Sequence, residues 1–178
     1  MAGPLVVLTG ASGGGKTTLA RAIKERYPDE CDVLFFDSVG VPSPEEMKKW
    51  GDGHQPGGAR QRAMTLQWFD SLAAMLRTGR SVLFEGQMRL AFIREALEAS
   101  KITTARVVLV DCDKTNRAAR LILNRRQSDL ANEQMMRWAD YLRTEALEAD
   151  YEILDTGNQP IGECVEHIHS YLHKPKLT

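Results

Sequence analysis

The chain has 178 residues, 43% apolar and 26% charged, with a formal net charge of −1, a balance that suits one globular domain with its own core. It carries neither the basic excess that would point to nucleic acid nor the acidic excess of a solvated tail, so no nucleic-acid partner is expected. Cys31, Cys112 and Cys164 are the only cysteines; few, odd in number and widely spaced, they argue against a disulfide framework and against a zinc site, and for reduced, buried or idle thiols.

In chain order, short apolar runs alternate with longer helical patterns. The first run, Leu5–Leu8, is too short for a signal peptide or a membrane span, no other run approaches spanning length, and the protein reads as cytoplasmic with no membrane partner. Strands are predicted at Leu5–Thr9, Val33–Phe36, Ser81–Phe84, Arg106–Val110 and Tyr151–Leu154. Most are almost continuously apolar, as strands buried on both faces are. Helices are predicted at Lys16–Tyr27, Glu45–Trp50, Arg60–Arg77, Leu90–Ser100, Lys114–Asn124, Asn132–Ala149 and Ile161–His173. This alternation means an α/β fold, a parallel sheet with helices on both faces.

Several boundaries have physical causes. Pro28 stops the first helix, Gly79 supplies a left-handed position after Arg77 and Thr78, and Pro160 suits the first residue of the last helix. Met135, Trp138, Leu142 and Ala149 form an apolar stripe that reads as core. Gly51–Gly58 is the one Gly/Pro-rich stretch, short enough to be a loop rather than a linker. No internal repeat is present, and the tail Lys174–Thr178 is expected to fray.

The most specific signal is Gly10-Ala11-Ser12-Gly13-Gly14-Gly15-Lys16-Thr17, placed between a strand and a helix. Glycines let the backbone fold around a triphosphate with N–H groups turned inward, and the helix that starts near Lys16 adds its positive end. Lys16 is expected to reach the β- and γ-phosphates, and the Thr17 hydroxyl to ligate Mg²⁺, with Thr18 beside them. Ser12 occupies the second glycine position that a dinucleotide fingerprint requires, which excludes that reading.

With this P-loop in place, nearly the whole chain resembles the small P-loop kinases: adenylate-kinase-like nucleotide kinases, shikimate and gluconate kinases, and chloramphenicol phosphotransferase. The resemblance implies a three-layer P-loop NTPase fold with a five-stranded parallel sheet in the order 2-3-1-4-5, and transfer of the γ-phosphoryl group of Mg·ATP to a small acceptor. It implies a single domain over 1–178, with an acceptor-binding insertion at about 39–79 and a short lid at about 125–132.

The stretch Glu85-Gly86-Gln87-Met88-Arg89 looks like the Asp-Gly-x-x-Arg element of adenylate kinases with Glu in place of Asp. That resemblance puts Glu85 near the Mg²⁺ shell and Arg89 near the acceptor or the transferred phosphoryl; the alternative is two surface groups at a strand end. Asp37 follows the second strand where sugar, shikimate and antibiotic kinases carry an aspartate against the acceptor hydroxyl. By resemblance it is a candidate base; the alternative is an N-cap. Arg117, Arg120, Arg125 and Arg126 resemble the lid entry of nucleotide kinases, with Arg120 assigned to adenine stacking and Arg125 and Arg126 to phosphate; for any one of them the alternative is a solvated helix face. Asp155-Thr156-Gly157-Asn158 lies where related kinases hold adenine, which brings Thr156 and Gly157 into the nucleotide set.

The acceptor region is expected at Val39–Arg62, with Asp52, His54, Arg60 and Arg62 as candidates and Arg60 foremost. His167, His169 and His173 sit on the last helix, two of them at i, i+4; lacking a carboxylate or cysteine partner in the pattern, they read as a surface helix. Three functions remain in view: a kinase for a small hydroxyl acceptor, a nucleoside monophosphate kinase, and a nucleotide-driven switch or NTPase acting on a protein partner.

Overall fold

The computed structural model describes residues 2–39, 45, 49, 51, 57–124 and 126–173. The expected helix over 45–50 falls largely outside these residues, as do Asp52, His54, Arg125 and the tail 174–178.

Five strands form one parallel sheet: β1 (Leu5–Thr9), β2 (Asp32–Phe35), β3 (Val82–Glu85), β4 (Ala105–Asp111) and β5 (Glu152–Asp155). Their order is β2-β3-β1-β4-β5, the order the resemblance implied. Along β1, Leu5 and Val7 enter the apolar cluster on one face, while Val6 and Leu8 enter the cluster on the other. This is why the strand reads as continuously apolar: both faces are covered.

The first face carries α2 (Ala59–Arg77), α3 (Leu90–Ala99) and α5 (Glu133–Glu148), through residues such as Phe69, Leu72, Ile93 and Leu142. The second carries α1 (Lys16–Arg26) and α6 (Ile161–Ser170), through Leu19, Ile23, Val165 and Ile168. On α5 the buried row is Ala139, Leu142 and Ala146, with Met135 and Trp138 half-buried against it; Ala149 is exposed just past the helix end and leaves the expected stripe.

The helix expected at Lys114–Asn124 divides. An α-helix, α4 (Lys114–Ala119), is capped by the Asp113 side chain, which accepts from Asn116 N at 2.8 Å, and a π-turn follows over Arg120–Asn124. Gly79 ends α2 as expected, at φ 84 with its N–H on Leu76 O. Pro160 stands one residue outside α6, where its carbonyl oxygen accepts from Glu163 and Cys164. The last helix is not a purely exposed one either, since His169 is buried beneath a stacked Tyr27 ring. Among the described residues, no helix is long and apolar enough to cross a membrane.

Candidate active site

Strand register sets the site. Phe35, Glu85 and Leu8 are neighbours across β2, β3 and β1, so Asp37 and Gly10 leave the sheet at the same carboxyl end, where open α/β sheets gather ligands. Three hydrogen bonds close this end. Gly86 N donates to Leu8 O at 3.0 Å, Thr9 Oγ1 donates to Met88 O at 2.6 Å, and Ser12 Oγ donates to Gln87 Oε1 at 3.1 Å. Gln87 thus joins the phosphate loop to the segment after β3, a role its sequence position did not signal.

The loop itself is packed against the end of β4. Gly10 has φ 142, and a Cβ there would meet the Val110 carbonyl oxygen at 2.3 Å; a Cβ on Gly14 would meet the same atom at 2.7 Å. Only residues without a side chain let the backbone lie this close. Lys16 opens α1 with 6% of its surface exposed, and its Nζ donates to Ala11 O at 3.1 Å, folding the ammonium back over the loop. The next residue, Thr17, donates from Oγ1 to Glu85 Oε1 at 3.1 Å. Glu85 is buried at 7% exposure, so the longer acidic side chain at the end of β3 reaches the first turn of α1 rather than solvent.

Arg120 and Thr156 form the opposite wall. Arg120 Nη1 donates to Thr156 Oγ1 at 2.8 Å and lies 3.4 Å from the carbonyl oxygens of Gly13 and Gly14, while Nη2 donates to Thr156 O at 2.7 Å. Thr156 Oγ1 in turn donates to Gly14 O at 2.7 Å. The Gly157 N–H is held by Asp155 Oδ1 at 2.8 Å. Between these walls lies a cavity of about 830 Å³ that brings together Gly13, Gly15, Thr17, Thr18, Arg120 and Thr156 from the expected nucleotide set. It adds Arg21, Glu25, Asn124, Gln159 and Ile161. Arg21 and Glu25 follow Thr17 at successive i+4 steps, a helix-face signal readable in the sequence.

Arg117 does not sit on a solvated helix face. It is 1% exposed, pairs with the Asp111 carboxylate, and donates to Ser12 O at 2.7 Å. Arg143 approaches the other Asp111 oxygen at 2.8 Å. Arg126 is exposed at φ 53. Cys112 Sγ contacts Gly13 O at 3.5 Å, and burial pushes its thiol up despite the opposing pull of Arg117 and Arg120.

On the acceptor side, Asp37 is exposed in a one-turn 3-10 helix, Phe36–Val39, after β2. That turn is seated by Phe36, whose side chain lies so close over Gly86 that a Cβ there would meet the Phe36 Cβ at 2.4 Å and the first ring carbon at 3.0 Å. Arg60 lies half-buried in the first turn of α2, and Arg62 is occupied by Glu95. Arg89 is held by α5: its guanidinium donates to the Tyr141 hydroxyl, lies 3.4 Å from Glu145, and sits over the Phe92 and Tyr141 rings. Gln61 bridges this region by accepting from Arg89 N and donating to Gln87 O, both at 2.9 Å.

The model of the chloramphenicol phosphotransferase-like proteins matches residues 3–173. The chain belongs to this family. It is a P-loop phosphotransferase, and its solved neighbours share the fold of that class. A sugar kinase from Janibacter sp. HTCC2649 is 19% identical and superposes with a TM-score of 0.69, covering 96% of this chain and 94% of that one. A shikimate kinase from Acinetobacter baumannii, solved with shikimate, is 18% identical with a TM-score of 0.64, covering 98% and 96%. The APS kinase of Mycobacterium tuberculosis, solved with AMPPNP and APS, is 14% identical with a TM-score of 0.61, covering 97% and 99%. No curated protein matches the chain.

Proposed function

We propose that the protein transfers the γ-phosphoryl group of ATP, bound with Mg²⁺, to a hydroxyl group of a small acceptor. The observation that carries this reading is the 3.1 Å approach of the Thr17 hydroxyl to the Glu85 carboxylate, beside a buried Lys16 at the mouth of the phosphate loop. Two oxygen donors adjacent in an octahedral Mg²⁺ shell stand about 2.9 Å apart, given metal–oxygen distances near 2.05 Å. The pair therefore fits that ion, and the glycine cradle fits the phosphates it would accompany. When bound, Mg²⁺ would neutralise charge on the β- and γ-phosphate oxygens.

The chain's own groups then divide the work. Gly10–Thr17 present backbone N–H groups and Lys16 its ammonium to the terminal phosphates, with Ala11 and Ser12 shaping the turn. Arg120, Thr18 and Thr156 line the side of the cavity assigned to the base and ribose, with Gly157 following Thr156 in the chain. Arg125, outside the described residues, is assigned to the transferred phosphoryl from the lid. Asp37 orients the acceptor hydroxyl and takes its proton as the new O–P bond forms and the bond from the γ-phosphorus to the β-γ bridging oxygen breaks, leaving ADP. Arg60, Arg89 and the segment 39–79 form the acceptor side. The engagement of Arg89 by Glu145 and Tyr141 favours an uncharged hydroxyl compound over a phosphorylated one.

The test is ADP formation with Mg·ATP and a panel that includes chloramphenicol, sugars, shikimate, adenylylsulfate and nucleoside monophosphates. ADP release that depends on one acceptor, and that Lys16→Ala lowers by about 10²-fold or more, is expected. Release that no acceptor changes would favour the NTPase reading, and full activity in Lys16→Ala would sink the assigned site.

A further inference from the structure

At the opposite end of the sheet from the phosphate loop, the connection from α1 to β2 passes the C-terminal end of α6. His169, 6% exposed, has Nε2 at 3.0 Å from Glu30 Oε2. His173, one turn later, has Nδ1 at 3.8 Å from the same oxygen and Nε2 at 3.2 Å from His169 Nδ1. Glu30 is 139 residues from His169 and supplies the carboxylate that the i, i+4 histidines lack in the sequence. One ligand atom from each of the three lies within 4.8 Å of the others, the one such group of histidine, cysteine and acidic side chains among the described residues.

We infer that Glu30, His169 and His173 form a binding site for one zinc-class divalent ion, separate from the nucleotide cavity. Two ligands of a tetrahedral zinc stand about 3.4 Å apart at bond lengths near 2.1 Å; the observed 3.0 and 3.8 Å bracket that spacing. The His169 ring is held in place before any ion arrives, stacked on Tyr27 at 3.4 Å between centroids with planes 5° apart. Tyr27 is itself fixed by donating to Glu166 at 2.9 Å.

The cluster borders a groove of about 550 Å³ lined by Glu30, Cys31, Asp32, Arg80 and His173, which gives a fourth ligand, water, room to sit. Asp32 also carries a buried Oδ2 with no hydrogen-bond partner, an acceptor that an ordered water would satisfy. Two imidazoles and a carboxylate select Zn²⁺, Co²⁺ or Ni²⁺ over the hard Mg²⁺ of the phosphate site. The ion would tie the end of α6 to the end of α1, whose first turn holds Lys16 and Thr17.

The experiment uses the full chain without an affinity tag, stripped by dialysis against a chelator. Zn²⁺ is titrated in competition with a chromophoric chelator, and Co²⁺ is added separately to read its visible absorption. The expected result is one equivalent bound, a tetrahedral Co²⁺ spectrum that Zn²⁺ abolishes, and no competition from millimolar Mg²⁺. Glu30→Gln and His173→Ala, both exposed positions chosen because the fold tolerates change there, should each weaken binding by about 100-fold or more. Circular dichroism confirms that these variants remain folded. Lys16→Ala should bind Zn²⁺ unchanged. Absence of uptake at about 0.1 mM Zn²⁺, or affinity untouched by both ligand substitutions, would overturn the site.

Discussion

The Arg117 guanidinium donates to the Ser12 carbonyl oxygen at 2.7 Å, across 105 residues of sequence. The same side chain pairs with Asp111 at the end of β4 and approaches Cys112 O at 3.3 Å. One buried cation therefore fixes the phosphate loop against the strand beside it, and α4 is the element that delivers it. Arg117 is a positioning residue for the loop, set apart from the arginines that face the cavity.

Arg117→Met should cost about 3–5 kcal/mol, because the Asp111 carboxylate stays buried with only the half-exposed Arg143 as partner. Replacing both members, Asp111→Asn with Arg117→Met, should restore part of that loss. Urea unfolding of the two variants checks the difference. The single variant should also raise KM for the nucleotide more than it lowers kcat, since a loosened loop binds phosphate poorly. Equal stability of the single and double variants would contradict the ion-pair account.

The Thr17–Glu85 pair makes a second prediction. Thr17→Val removes the hydroxyl but keeps the shape, and activity should fall by about 10²-fold, with a larger Mg²⁺ concentration needed for half-maximal rate. Thr17→Ser should retain most of the activity, because the oxygen stays. Glu85→Gln should resemble Thr17→Val in its Mg²⁺ dependence. If valine and serine at position 17 behave alike, the hydroxyl has no role at the metal.

The strands and the loop were legible because their signals are local. Both faces of β1 are covered, so its apolar residues run on without a polar break, and the phosphate loop declares itself by its glycines, the Lys16-Thr17 pair and its place between a strand and a helix. Boundaries slipped by a residue where acidic side chains end strands: Glu85, Asp111 and Asp155 extend β3, β4 and β5 past the apolar runs. Apolarity marks where a strand is buried, whereas backbone pairing decides where it ends. Arg117 and Glu30 were opaque for another reason. Their roles depend on partners brought close only by the fold, and nothing about an arginine in a helical pattern separates a buried clamp from a solvated charge. The split of the helix after Ala119 into a π-turn was equally hidden, since residues 114–124 carry no glycine or proline to announce it.

Asp37→Asn tests the assigned base. Asparagine keeps the size and can still orient a hydroxyl, but it does not accept the proton. The rate constant kcat should fall by about 10²–10⁴-fold with KM for ATP nearly unchanged. A rise in KM for the acceptor at constant kcat would make Asp37 a binding group only. Because Asp37 is exposed, the substitution should leave the thermal midpoint within about a degree or two, so a large loss of stability would also argue against a purely functional role.

The thiols give a pH prediction whose sign follows from their surroundings. Burial, then the nearby Asp32 and Glu30 carboxylates, push the Cys31 thiol up to about 11, and burial also raises Cys112 and Cys164 above the ordinary 9.0. The folded chain holds these protons more tightly than the unfolded chain does. Their contribution to stability is therefore complete below pH 9; that of Cys31 declines as pH rises from 9 toward 11, and those of Cys112 and Cys164 decline above pH 9. Melting curves between pH 8 and 11 should show a falling midpoint, and Cys31→Ser should flatten part of the fall. At pH 8 a thiol at about 11 is only ~0.1% thiolate, against ~10% for one at 9, while its greater basicity makes that thiolate about 10-fold more nucleophilic, so Cys31 should react with a disulfide reagent about 10-fold more slowly than an ordinary exposed cysteine. A rate matching that of free cysteine would show that the groove beside Glu30 does not shield the sulfur, and would remove the basis for the alkaline loss of stability at that residue.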